Sequence, residues 1–401
     1  MLRFLIVPSN NSLSHLGKAL ALEEALVRRG HKVLVAVGEA HAPRLRAMGR
    51  RAAVLPDIQE ADGGGFPTPA WFRNPEHIRA CVLAERQLLR EFRPDRALGI
   101  FRFTLGLSAR MEGIPCDSLI CACMLPESPE VLGFAADEPG LEEQRAMLQT
   151  FYRYAGSRLS RSLGLEPLAD IRSLLHGERT FLWDVPEFAP LPELPQVKRV
   201  GPLSWRGWPP SPLDLEALRK GPEPLAVLSF GTCVGSAEVA EQVIGALRRL
   251  GYRVLVAAGG QEALLEGPPD PGVIRAAMAP MHQILPMASL MVCHGGQMTV
   301  FEALGHRVPV LVIPFQPEQA QNGVALERIG CGGRLVPPTP YVFSQGVYLR
   351  ALGGLGPKGL ERAIRERLET PGLAGSLARF QGILASSPGV AGICEGLEGP
   401  P

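Results

Sequence analysis

Short, wholly apolar runs alternate along the chain with longer stretches in which apolar residues return every three or four positions. That alternation predicts strands buried on both faces, interleaved with amphipathic helices. Phe4 to Val7 is one such run, Ser9-Asn10-Asn11-Ser12 is a polar loop, residues 15–29 have helical spacing up to Gly30, and Val33 to Val37 is the next strand. Strand, loop, helix and strand make a βαβ unit. The pattern returns in the second half: Leu225 to Phe230 is apolar, residues 231–236 are a loop, and Val239, Val243, Leu247 and Leu250 have helical spacing. The exits are alike too, RRGHKVLVA at 28–36 against RRLGYRVLVA at 248–257, differing by one inserted residue. Two similar doubly wound α/β domains are therefore expected, at 1–200 and 201–385. The proline-rich stretch 186–224 reads as the crossing between them. Residues 138–179 and 357–385 are charged and helical in pattern, and the Gly- and Pro-rich end, 386–401, reads as a flexible tail. Residues 56–75, with Gly63-Gly64-Gly65, Trp71 and Phe72, read either as a surface excursion or as a mobile loop lining a site for an apolar substrate.

Composition narrows the partners. At 401 residues the chain exceeds the usual single-domain size, which agrees with two domains. Lys+Arg 41 against Asp+Glu 40 leaves no basic excess to hold a nucleic acid by counterion release. The eight cysteines form no CxxC pair, and most lie in or beside apolar runs, so they read as reduced, buried residues of a cytoplasmic protein. The first apolar run is too short for a signal peptide and is stopped by Pro8. No run reaches the ~18 residues a membrane span needs. His31, His41, His77 and His176 have no partners at metal-ligand spacing, and Cys121-x-Cys123 lacks further ligands, so no metal is expected. Met278, Met281, Met287 and Met291 read by pattern as core fillers. Neither GxGxxG after the first strand nor GxxxxGK[ST] is present, which counts against nicotinamide, flavin and P-loop chemistry.

The richest chemistry lies in 291–322, MVCHGGQMTVFEALGHRVPVLVIPFQPEQAQN. Two apolar runs each end in polar groups, and in a parallel sheet those ends share the carboxyl edge where open α/β folds bind ligands. His294-Gly295-Gly296 is a flexible turn, and Thr299 to Glu302 reads as the first turn of a short helix. Thr299 and Glu302 are open to two readings. They form a TxxE capping box, with the glycines merely turning the chain. Alternatively, the helix start seats a diphosphate on free N–H groups and the positive dipole end, with His294 and Thr299 adding donors and Glu302 accepting two ribose hydroxyls.

This stretch resembles the donor-binding signature of the UDP-glycosyltransferase superfamily, HGGxGTxxEALxxGxPxxxxPxxxDQxxNA, matched here by HGGQMTVFEALGHRVPVLVIPFQPEQAQNG. LSFGT at 228–232 resembles the strand and phosphate loop opening that family's second domain, and VGPL at 200–203 its interdomain entry. Met278 and Ala279 fall at its nucleoside-base segment. His15 stands 16 residues before His31 of RRGH, the spacing between the family's catalytic histidine and its RRGHxV exit. The resemblance implies two Rossmann-like domains facing across a cleft (GT-B), with the last helices returning to the first domain. It implies transfer of a sugar from a nucleotide diphosphate, UDP above all, to an acceptor hydroxyl, inverting and metal-free, with His15 as general base. The nucleotide sugar is a co-substrate, and no resident cofactor is implied. Thr232, His294, Gly295, Gly296 and Thr299 would surround the phosphates, Glu302 the ribose, and Glu318 and Gln319 the sugar. The acceptor stays open among small natural products, lipids and saccharides.

Three positions depart from the pattern. The aspartate often found behind the histidine is Ile100, for which Glu127 is the candidate replacement. Met298 replaces a glycine, and Glu318 an aspartate. A UDP-sugar epimerase would carry a DSGGxxEE-like segment where this chain has CHGGQMTVFEAL. A catalytically silent nucleotide-sugar binder is the reading that Ile100 keeps alive.

Overall fold

The computed structural model describes residues 1–9, 13–57, 74–209, 211–231, 236–338 and 345–399. The chain divides into two compact units: Met1–Pro129 with Arg145–Trp208 and Ser387–Pro401, and Glu130–Gln144 with Pro209–Ser386.

In the first unit, seven parallel strands follow the order β3-β2-β1-β4-β5-β6-β7. They are β1 (Arg3–Pro8), β2 (Lys32–Gly38), β3 (Ala53–Leu55), β4 (Arg96–Ile100), β5 (Cys116–Ile120), β6 (Thr180–Leu182) and β7 (Val197–Arg199). The apolar runs are strands because a parallel sheet is covered on both faces: Phe4, Leu5, Ile6 and Val7 are each at most 1% exposed. Leu5, Val7, Ala36, Leu89, Ala97 and Leu105 close one core. Strand order reverses between β1 and β4, where Pro8 lies beside Ile100. That reversal is the topological switch point, where such folds place ligands.

The second unit repeats the plan in six parallel strands, ordered β10-β9-β8-β11-β12-β13. These are β8 (Leu225–Ser229), β9 (Arg253–Ala257), β10 (Val273–Ala276), β11 (Ala288–Cys293), β12 (Val310–Val312) and β13 (Gly332–Arg334). The helix Ala237–Arg249 starts at Ser236, whose hydroxyl accepts the Val239 N–H, and it buries Val239, Val243, Ile244 and Leu247. Here the switch point lies between β8 and β11, with Ser229 beside Cys293.

Three expectations are corrected. The end of the chain is not a loose tail: Gly389–Glu398 is a helix of the first unit that buries Ile393, Cys394 and Leu397. Its glycines hide its helical period in the sequence, and Gly396 lets it close against the Phe181 ring. The boundary near residue 200 is also too simple. β7 lies inside the supposed crossing, and residues 130–144 leave the first half to join the second unit. There the Gly133 N–H donates to Gln321 Oε1 at 3.0 Å, and Arg334 donates to the Gly133 carbonyl at 2.9 Å and pairs with Glu138. Finally, the late helical stretch begins at Gln345 and is broken at Gly356 (φ 61°, ψ 175°), because Pro357 cannot continue the helical hydrogen bonding. Trp71, Phe72 and Gly63 to Gly65 lie outside the described residues.

Candidate functional site

In the second unit, β11 hands the chain to His294 at the switch point. The His294 N–H donates to the Ser229 carbonyl at 3.3 Å, and a Cβ on Gly231 would sit 2.8 Å from His294 Cε1. A Cβ on Gly296 would likewise meet the same ring, at Nε2. His294 thus fills a slot between two glycine backbones, and burial pushes its pKa down to about 4. It offers a hydrogen bond and no positive charge.

The helix that follows runs Gln297–Gly305 with Gly296 at the N-cap. Its first intrahelical bond is Val300 N–H to the Gly296 carbonyl, so the amides of Gln297, Met298 and Thr299 have no acceptor within the helix. Thr299 is therefore the third helical residue and not a cap, and the capping-box reading fails. Glu302 falls in the second turn, half-buried. What remains is a helix start at a switch point, its first-turn amides without an acceptor in their own helix, the geometry that binds phosphate.

Glu318 and Gln319 sit in the first turn of the helix Pro317–Ile329. Gln319 Oε1 accepts the Phe315 N–H at 2.9 Å, so this side chain is turned back onto its own loop. Asn322, which the site assignment from sequence missed, donates to the Gly295 carbonyl at 2.8 Å and to Glu318 at 3.0 Å. It locks the glycine turn to Glu318; its signal was the asparagine that closes the signature. Thr232 lies outside the described residues. Met278 is 40% exposed and donates nothing to the core, unlike the fully buried Met291. Its carbonyl accepts from the Ser211 hydroxyl, and Ala279 beside it is half-buried.

In the first unit, His15 is the third residue of the helix Leu13–Arg28, 9% exposed. Phe101 and Trp183 flank its ring, each with centroids 5.6 Å away. Burial, then Lys18, then His41 hold its pKa well below the usual 6.5. Lys18 donates to Ser14 Oγ at 2.7 Å and lies 4.3 Å over the Trp183 ring. Phe101 has φ +52°, an outlier for a bulky residue. That conformation turns the chain sharply at the end of β4. Ile100 is fully buried in the sheet. Glu127 does not take the missing acid's place in this structure: its carboxylate meets His176 Nε2 at 2.9 Å. The loop acid meets a ring nitrogen 49 residues away in sequence, and no short-range spacing marks His176 as its partner. Asp184 is likewise committed, to the Ala122 N–H and to Arg199. Sequence reasoning missed Lys18, Phe101 and Trp183; Lys18, one turn beyond His15, was the readable one.

Among the described residues, no cluster of three His, Cys, Asp or Glu side chains is placed to hold a metal ion, and no helix is long and apolar enough to cross a membrane.

Residues 148–339 match the family model for UDP-glucoronosyl and UDP-glucosyl transferases. A PGL/p-HBAD biosynthesis glycosyltransferase of Mycobacterium tuberculosis (strain ATCC 25177 / H37Ra) is 29% identical over 275 residues, 65% of this chain and 63% of that protein. The match thus spans less than two thirds of that relative's length. A PGL/p-HBAD biosynthesis rhamnosyltransferase of Mycobacterium bovis (strain BCG / Pasteur 1173P2) is 27% identical over 346 residues, 82% of this chain and 76% of that one. The structure of a spinosyn rhamnosyltransferase complexed with thymidine diphosphate superposes over 99% of this chain and 100% of that one, at 19% identity and a TM-score of 0.68. Two Rossmann-like domains, a family model matching residues 148–339 and glycosyltransferases among its relatives make the chain similar to the UDP-glucoronosyl and UDP-glucosyl transferases.

Proposed function

We propose that the protein transfers a sugar from a nucleoside diphosphate donor to an acceptor hydroxyl, with inversion and without a metal. The observation that carries this reading is the helix start at Gln297, whose first-turn amides have no acceptor within the helix, behind Gly295 and Gly296 at a switch point. Those amides and the helix dipole would hold the diphosphate and stabilise its charge as it leaves. Glu302 would accept the ribose hydroxyls and Glu318, braced by Asn322, those of the sugar. A carboxylate reading two hydroxyls favours UDP; the relative that binds thymidine diphosphate makes TDP the other candidate.

His15 would take the proton from the acceptor hydroxyl while that oxygen attacks the anomeric carbon. The bond from that carbon to the diphosphate breaks, and its electron pair leaves with the phosphate oxygen. A ring kept neutral at pH 7 is the form a base needs. A silent nucleotide-sugar binder is the second reading, favoured by Ile100 and by the diversion of Glu127 to His176.

Two measurements separate them. UDP- and TDP-sugars should raise the melting temperature, and Glu302→Ala should abolish most of that rise; no shift with either nucleotide sinks the donor site. Transfer to a panel of acceptors should fall about 10²–10⁴-fold in His15→Ala with donor affinity unchanged. Tight donor binding with no turnover in the unaltered protein supports the silent reading.

A further inference from the structure

Two buried polar side chains and one half-buried one, none of them used by the proposed transfer, lie along one edge of the first sheet. His41 leaves the exit of β2, Asp57 that of β3 and Arg102 that of β4, all at the carboxyl edge, where β1 delivers His15. His41 Nε2, Asp57 Oδ1 and both terminal nitrogens of Arg102 are buried and have no hydrogen-bond partner among the described residues. His41 is 8% exposed and Arg102 3%. A buried donor or acceptor left unpaired costs about 1–3 kcal/mol, so several of them at one edge mark a place built for a ligand.

Arg102 is held there deliberately. Its Nε donates to Glu85 Oε1 at 2.7 Å, and the same carboxylate accepts the Thr104 hydroxyl at 2.7 Å and the Ser108 hydroxyl at 2.6 Å. Glu85 therefore fixes the guanidinium through one nitrogen and leaves the two-pronged end unused. It also cancels the charge, so the site has no net positive charge with which to draw an anion. Asp57 offers the opposite polarity: Oδ2 accepts the Ala40 N–H at 3.3 Å and Oδ1 is spare. Arg102 and Asp57 feel one another's charge, as do His15 and His41. A donor fork, a spare carboxylate oxygen and a spare imidazole nitrogen suit a neutral ligand whose groups both donate and accept, and adjacent hydroxyls do both.

We propose that His41, Asp57 and Arg102 form a subsite for vicinal hydroxyls, so that the acceptor carries a sugar or polyol moiety. This rests on reading the first unit as the acceptor side. Arg102 would donate to the hydroxyl oxygens, Asp57 would accept a hydroxyl proton, and His41 would bond a neighbouring hydroxyl.

The test uses the full chain, without nucleotide, and two probes: methyl α-D-glucopyranoside and its fully O-methylated ether. Saturation-transfer NMR titrations should give saturable binding of the glycoside and none of the ether. Arg102→Lys, which keeps a cation for Glu85 but loses the fork, and Asp57→Ala should each weaken the glycoside at least tenfold. Melting curves report whether each variant is folded, and His41→Phe decides should Arg102→Lys unfold. Equal binding of both probes, undiminished binding by folded Asp57→Ala and His41→Phe, or no saturable glycoside binding by the unaltered chain overturns the proposal. Because no nucleotide is present, such a failure leaves the donor melting test standing, and a failure there leaves this one standing.

Discussion

At His294, burial outweighs the opposing effect of the Ser229 carbonyl, and the imidazole titrates at about 4. The unfolded chain takes up its proton near 6.5, so between those values the unfolded state binds more protons and stability falls as pH falls. Its share is fully present above pH 6.5 and lost on descending to about 4, a change of about 3 kcal/mol. Melting temperature against pH for His294→Gln should accordingly be flatter over that window than for the unaltered chain; parallel curves would place the ring in solvent. The identity of His294 was legible from its neighbours in HGG, but its neutrality was not. Gly231, more than sixty residues earlier, supplies one wall of its slot. Gly295 was legible for the right reason: at φ +88°, a Cβ would also lie 2.6 Å from Val312 and 2.7 Å from the Gln319 carbonyl oxygen. The capping box stayed open for Thr299 because TxxE spacing is the same whether the threonine caps the helix or is its third residue.

Among elements, the last helix departs most from its sequence. Gly389–Glu398 pins itself by Arg179 donating to the Gly396 and Gly399 carbonyls and by Glu398 meeting Arg29 at 2.8 Å and His31 at 2.7 Å. The ion pairs are partly exposed and contribute little; Ile393 and Leu397, at most 1% exposed, carry the stability. Leu397→Ala is expected to cost about 2–5 kcal/mol, read as a lower denaturant midpoint. A change under ~0.5 kcal/mol, the usual range for surface sites, would return this helix to a loose tail. The strands were legible because burial on both faces demands unbroken apolar runs. This helix was not, since what it buries against is Phe181 and the start of the chain.

For the molecule as a whole, each unit borrows chain from the other half of the sequence. Residues 130–144 complete the second unit through Gly133, Glu130 and Glu138, the last holding Arg334 together with Glu327. Arg334 is 6% exposed, so removing one of its carboxylates leaves a buried cation half-paired. Glu138→Ala should cost about 1–3 kcal/mol in the denaturant midpoint of the second unit. An unchanged midpoint would make the segment a passive passenger.

By itself the sequence determined the doubly wound class, both first strands, the glycine turn and the helix behind it, because those follow from local periodicity and from conformations that glycine alone adopts easily. Tertiary structure alone decided which chain segments make up each unit, that Glu127 meets His176, that Phe101 and Trp183 wall in His15, and that Arg102 keeps an unused fork beside Glu85. Those outcomes depend on which distant side chains arrive at one strand end, and short-range spacing carries no record of that.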